Sequence, residues 1–146
     1  MTSVFLYRVP TVDEINSLVK LLVQQLLRPA IVLLSGNLAA GKTTLVAEFC
    51  KHFGLNVTQS PTYAIHQQYV SHEIKVDHFD LYRLESEDDI QASGFYDLLS
   101  EKADYKFIEW GERVELRNFT LDVPLYKINI QVNSDGSREF ELFKLN

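Results

Sequence analysis

Cysteine is almost missing from this chain: Cys50 stands alone among 146 residues. With no second thiol, an internal disulfide framework and a thiolate metal site are both excluded, and a reducing compartment, the cytoplasm, is expected. Long apolar runs are missing as well. The longest, 21–23 and 30–34, fall far short of the roughly 20 residues that cross a bilayer, and no basic stretch precedes an apolar signal core at the N-terminus. Neither membrane insertion nor export is expected. Positive charge is scarce too, since 14 Lys and Arg face 20 Asp and Glu for a net charge of −6. Such a chain carries no basic footprint for gripping a nucleic-acid backbone by itself. Six glycines and four prolines are too few for a collagenous or low-complexity protein, and no internal repeat or linker is visible. What is present, 46% hydrophobic and 12% aromatic residues, suits a soluble globular protein whose length predicts one domain, 1–146.

Periodicity gives the order of elements. A β-rich run over 3–9 is followed by Pro10 and a helix over about 12–28, with Thr11 and Glu14 spaced as a capping box and Pro29 as the stop. The continuously apolar 30–34 suits a strand buried on both faces of a parallel sheet. A helix over 44–53 comes next, then strands over 63–70 and 74–79. Ser86 caps a helix that Gly94 interrupts, and a strand covers 105–110. Alternation over 125–133, the Ser134-Asp135-Gly136 turn and 138–145 make an antiparallel hairpin appended to the core. The expected class is α/β, a phosphate-loop NTPase-like three-layer fold with a central, mostly parallel sheet.

The chemistry concentrates between the buried strand and the helix after it. Gly36-Asn37-Leu38-Ala39-Ala40-Gly41-Lys42-Thr43 matches Gly-x-x-x-x-Gly-Lys-[Ser/Thr], and Thr44 follows. Glycines let successive backbone N–H groups converge on phosphate oxygens, and the helix N-terminus adds the positive end of its dipole. Lys42 can reach the β- and γ-phosphates, and the Thr43 hydroxyl is placed for Mg²⁺. By chance the bare pattern recurs in roughly 1 of 200 chains of this length. The strand before it and the helix after it supply the context that a working loop needs.

Metal and water also call for acids. Asp80 and Glu109 each close a strand and are the candidates, while Asp77, inside its strand, is a third that depends on which face it takes. For each, the plainer alternative is a solvated carboxylate. No glycine follows Asp80 in the Asp-x-x-Gly pattern of GTPases, and Lys102-Ala103-Asp104 precedes a strand and reads as a turn, so ATP is favoured. Two other readings stay open: a small-molecule kinase with Arg113 and Arg117 as lid arginines, and a nucleotide-gated binding module with slow turnover alone. His52, His66 and His72 show no ligand clustering and read as structural or exposed.

Four segments together, Gly36 to Thr44, Ser60-Pro61-Thr62-Tyr63, His78-Phe-Asp-Leu-Tyr-Arg-Leu84 and Ile108-Glu-Trp-Gly-Glu-Arg113, resemble the bacterial TsaE family, ATPases of tRNA threonylcarbamoyladenosine biosynthesis. The resemblance implies ATP as substrate, Mg²⁺, and two partner proteins, a TsaD-type ligase subunit and its TsaB-type paralogue, with tRNA reached indirectly through that complex. It implies that Lys42 binds phosphates, that Thr43 and Glu109 hold Mg²⁺, and that Asp80 lies near the metal and the attacking water. Ser60, Pro61 and Thr62 resemble a switch that senses the γ-phosphate, and Tyr82, Arg83 and Trp110 would couple nucleotide state to a partner. Thr11 is a candidate at the adenine. Two positions depart from the family pattern: Asn37 stands where aspartate is common, and Ala39 replaces a glycine, where a Cβ restricts any backbone that needs positive φ.

Overall fold

The computed structural model describes residues 1–37, 40–57, 65–115, 118–119 and 122–146. Strand β1 (Thr2–Val9) alternates, with Phe5, Tyr7 and Val9 against the core and Val4 and Leu6 exposed. Helix α1 (Ile15–Gln25) buries Ile15, Leu18, Val19 and Leu22, one face at helical spacing. The expected capping box at Thr11 and Glu14 does not form. A 3-10 turn over Val12–Glu14 leads into α1 instead, closed by the Glu14 N–H on the Thr11 carbonyl at 3.0 Å, and no side chain caps the helix. The helix also ends at Gln25, ahead of the expected 28. Leu26 is already extended, and the Tyr126 hydroxyl donates to the Gln25 carbonyl at 3.4 Å while accepting from the Leu27 N–H at 3.2 Å.

Strand β2 (Ala30–Ser35) is buried on both faces, as its unbroken apolar run predicts. Val32 and Leu34 join one hydrophobic cluster with α1 and with α2 (Lys42–His52). Ile31 and Leu33 join a second cluster, beneath α3 (Glu87–Ala92) and α4 (Phe95–Ser100). The Ser86 hydroxyl caps α3 by accepting the Asp89 N–H at 3.1 Å, and Gly94, at φ 84°, makes the break before α4.

The remaining strands are β3 (His66–Val70), β4 (Lys75–Asp80), β5 (Tyr105–Glu109), β6 (Leu125–Val132) and β7 (Arg138–Lys144). They form one seven-stranded sheet in the order β1-β7-β6-β2-β5-β4-β3. Strand β2 runs parallel to both β5 and β6, and β4 parallel to β5, while the three outer pairings are antiparallel. With helices on both faces, the α/β three-layer expectation holds. The terminal hairpin is not an appendage, however. Its first strand lies directly beside β2, and its second pairs with β1, so both chain ends are woven into the sheet. Arg8 fastens the hairpin turn through Asp135 at 2.5 Å and Ser137 at 3.2 Å.

A Cβ added at Gly36 would stand 2.9 Å from the Ile130 carbonyl oxygen of β6 and 3.1 Å from the Ala40 Cβ. Backbone cannot yield as a side chain does, so Gly36→Ala is expected to lower stability by about 1–3 kcal/mol, measured by urea unfolding. Burial pushes the Cys50 thiol up to about 12, so almost no thiolate exists at pH 8. The native protein is expected to resist iodoacetamide at that pH and to take one label per chain in urea, counted by mass spectrometry.

Candidate functional site

The carboxyl ends of β2, β4 and β5 face the first turn of α2, which is where open α/β sheets place ligands. Gly41 is the residue before α2 and takes φ 109°, open to glycine and strained for any other residue. No side chain caps α2, so the amides of its first turn lack partners within the helix and face outward with the positive dipole end. They border a cleft of about 420 Å³ that is also lined by Asp80, Tyr82, Glu109, Trp110 and Arg138. A larger cavity, about 630 Å³, opens at the opposite strand ends near Pro29, Leu99 and Val123, and among the described residues none of the phosphate loop lines it.

Lys42 is buried. Its ammonium donates to the Gly36 carbonyl at 3.0 Å and stands 4.2 Å from the centre of the Trp110 ring. The Thr43 hydroxyl donates to Glu109 Oε2 at 3.3 Å. Glu109 is only 4% exposed and also receives the His78 Nε2 at 2.5 Å. Parallel pairing of β4 with β5 sets Asp80 opposite Glu109. Burial raises the Asp80 carboxyl above its ordinary value and the Glu109 charge adds to the rise, whereas the Tyr82 N–H, His78 and Lys42 act the other way.

A hydroxyl with two carboxylates is a set of hard oxygen donors, the kind magnesium takes alongside phosphate and water oxygens. Among the described residues no three His, Cys, Asp or Glu side chains converge as a metal cage.

Trp110 follows Glu109 in the left-handed region, at φ 62°. Its ring lies 5.1 Å from Tyr82 and 5.2 Å from the Arg113 guanidinium. Arg113 also donates to the carbonyls of Leu81, Tyr82 and Leu84. It is thus a latch on the turn after β4, neither a solvated helical face nor a free lid arginine.

A family model, Threonylcarbamoyl adenosine biosynthesis protein TsaE, matches residues 9–140. The chain belongs to the TsaE family. A tRNA threonylcarbamoyladenosine biosynthesis protein TsaE from Rickettsia felis is 38% identical over 128 residues, 86% of this chain and 72% of that one. The Rickettsia prowazekii protein of that name is 35% identical over 91% of this chain and 90% of its own, and the one from Nostoc 31% identical over 86% and 77%. The crystal structure of Bacillus YdiB shares the fold, with a TM-score of 0.70 at 22% identity, covering 97% of this chain and 86% of that one.

Within this TsaE fold, Gly41, Lys42, Thr43, Thr44, Asp80, Glu109, Tyr82 and Trp110 all line one cleft. Asn37 is exposed, with its carbonyl accepting the Ala40 N–H at 3.0 Å, and Ala40 is buried in the core. Thr11 and Arg83 are exposed and do not line the cleft. Leu38, Ala39, Ser60, Pro61, Thr62, Tyr63 and Arg117 lie outside the described residues. Asp77 takes the other face of β4, where His66 Nε2 and Gln68 Nε2 each stand 2.9 Å from its Oδ1. His66 is accordingly structural, as expected. Asp104 accepts the Lys75 N–H at 2.8 Å, which makes the Lys-Ala-Asp stretch a structural turn.

Two residues escaped the sequence reading: His78, buried against Glu109, and Arg138, on the cleft lining. His78 carried a signal: two residues before Asp80 in a strand, it shares the face of Asp80. Arg138 carried none, because only the β1-β7-β6 closure brings the start of β7 beside Gly41. A Cβ at Gly41 would meet Arg138 Nε at 3.6 Å, and among the described residues that buried nitrogen has no partner.

Trp110 is the chain's one tryptophan, so its emission reports on Lys42. Lys42→Ala removes the ammonium from the ring and is expected to change emission intensity while the far-UV circular dichroism stays the same. An unchanged emission spectrum would show that the contact is not kept in solution.

Proposed function

We propose that this TsaE-family chain is a Mg²⁺-dependent ATPase that acts with a TsaD-type ligase subunit and its TsaB-type paralogue in threonylcarbamoyl modification of the adenosine next to the anticodon. The observation that carries the reading is the pairing of the Thr43 hydroxyl with Glu109 at the uncapped start of α2, beside Lys42. Binding comes first in the reaction. The amides of the first turn of α2 and the Lys42 ammonium take the phosphate oxygens, a charged acceptor stronger than the Gly36 carbonyl that Lys42 now holds. Arg138, on the cleft lining beside Gly41, adds a second cation to the same charge.

Thr43 and Glu109 would hold Mg²⁺, with Asp80 close by; when bound, the ion neutralises charge on the β- and γ-phosphate oxygens. Asp80 orients the attacking water. Water adds to the γ-phosphorus, the bond to the β–γ bridging oxygen breaks, and ADP and phosphate leave. Tyr82 and Trp110 line the cleft; Tyr82, 45% exposed, and the exposed Arg83 next to it in sequence would present the nucleotide state to a partner. Thr11 is retained as a candidate at the adenine, and Ser60, Pro61 and Thr62 as the switch.

Transfer to a small-molecule hydroxyl would need arginines free to close over the phosphates. Arg113 is spent on three backbone carbonyls, which weighs against the kinase alternative. Location in the cytoplasm remains part of the proposal; no helix among the described residues is long and apolar enough to cross a membrane.

Lys42→Ala is expected to abolish ADP binding in calorimetry. Asp80→Ala and Glu109→Ala are expected to retain binding and to lose Mg²⁺-dependent ADP release by at least about a hundredfold. Equal rates in all three variants and the parent would overturn the site. Adding the two partner proteins should raise a slow basal rate of ADP release; a rise with a metabolite pool, and none with the partners, would favour the kinase.

A further inference from the structure

His78 is fully buried in β4. Strand alternation puts Val76, His78 and Asp80 on the face turned to α2. In the parallel register His78 stands opposite Phe107, and Asp80 opposite Glu109. The imidazole therefore reaches diagonally, one pair along, to place Nε2 2.5 Å from Glu109 Oε2. An ionised carboxylate can only accept, so Nε2 carries the proton.

This is the main fixture of the carboxylate. Among the described residues, both hydrogen bonds to Glu109 fall on Oε2, and the one from Thr43 is long, 3.3 Å. Thr43 is also the residue whose oxygen the metal would claim. Its hydroxyl is a poor choice for holding Glu109 in place while it serves a second ligand. His78 has no such competing duty: among the described residues its Nδ1 is buried without a partner, so Glu109 alone compensates the ring's burial.

We infer that His78 is the positioning residue for the metal-binding carboxylate, its Nε2–H orienting Glu109 so that Glu109 and Thr43 present one Mg²⁺ site. The inference rests on the reading of the cleft as a Mg²⁺–nucleotide site. His78 itself touches neither substrate nor metal in this assignment.

Mn²⁺ is the probe, because its electron paramagnetic resonance signal counts bound against free metal. Its affinity would be measured on the full chain saturated with ADP, together with ADP affinity in EDTA. His78→Leu is expected to weaken Mn²⁺ binding about 10- to 100-fold, with metal-free ADP affinity within about twofold of the parent. His78→Gln returns a terminal N–H near the position of Nε2 and is expected to restore most of the loss. Should His78→Leu not fold, His78→Asn keeps a polar side chain too short to reach Glu109 and is expected to show the same metal defect.

Parent-like Mn²⁺ affinity in His78→Leu or His78→Asn overturns the assignment. So does an equal fall in metal-free ADP affinity, which marks a general structural role. A parent chain that binds ADP but no Mn²⁺, or neither, overturns the reading of the cleft and the assignment with it.

Discussion

Phe49 lies wholly buried on α2 with the rings of Tyr105 and Phe107 each 4.9 Å away and near edge-on, and this contact fixes how α2 rides on β5. Burying a phenylalanine contributes about 1.5–3 kcal/mol, and each aromatic pair roughly 0.5–1.5 more. The position it enforces matters as much as the energy. Two turns before Phe49 the helix begins at Lys42 and Thr43, and two residues after Phe107, on the same face of β5, stands Glu109. Seating the aromatic rings thus delivers a hydroxyl to a carboxylate at the mouth of the sheet. A slip of one residue in either element would turn that pair apart, because strand faces alternate and helix faces rotate.

Among the described residues, the charged groups of the cleft are partnered within the protein, with one buried atom as the exception. Glu109, buried, has His78 and Thr43. Lys42 has a carbonyl and the face of Trp110. Asp80, whose ionisation burial opposes, has the Tyr82 N–H. Arg138 Nε is the exception, lying against the glycine that opens α2. The partners of the Lys42 ammonium, a carbonyl and a ring, are each weaker for a cation than a charged oxygen would be.

The same arrangement links the cleft to the surface. Trp110 stands between Lys42 on one side and Tyr82 with Arg113 on the other. Arg113 ties this stack to the backbone of the turn after β4. Lys42, Trp110 and the exposed Tyr82 thus form one chain of contacts from the cleft floor to the surface. Membership of the TsaE family gives that surface a context in tRNA threonylcarbamoyladenosine biosynthesis.

Local rules determined a good part of this protein from the sequence alone. Unbroken apolar residues made β2 a doubly buried strand, Gly94 split α3 from α4, and the Gly-Lys-Thr stands at a strand-to-helix junction as its pattern predicts, because each of these depends on neighbours within a few residues. Asp80 and Glu109 were legible as strand-end acids for the same reason. The helix ends were not: Gln25 is where α1 stops because Tyr126, a hundred residues away, takes its last groups. Asp77, set apart from Asp80 only by lying inside its strand, is sent by the face it takes on β4 to His66 and away from the cleft. The hairpin's place inside the sheet, the approach of Arg138 to Gly41 and the grip of His78 on Glu109 were likewise decided by strand order and register. Those are long-range pairings, chosen by which faces can be buried together, and no window of sequence contains both partners.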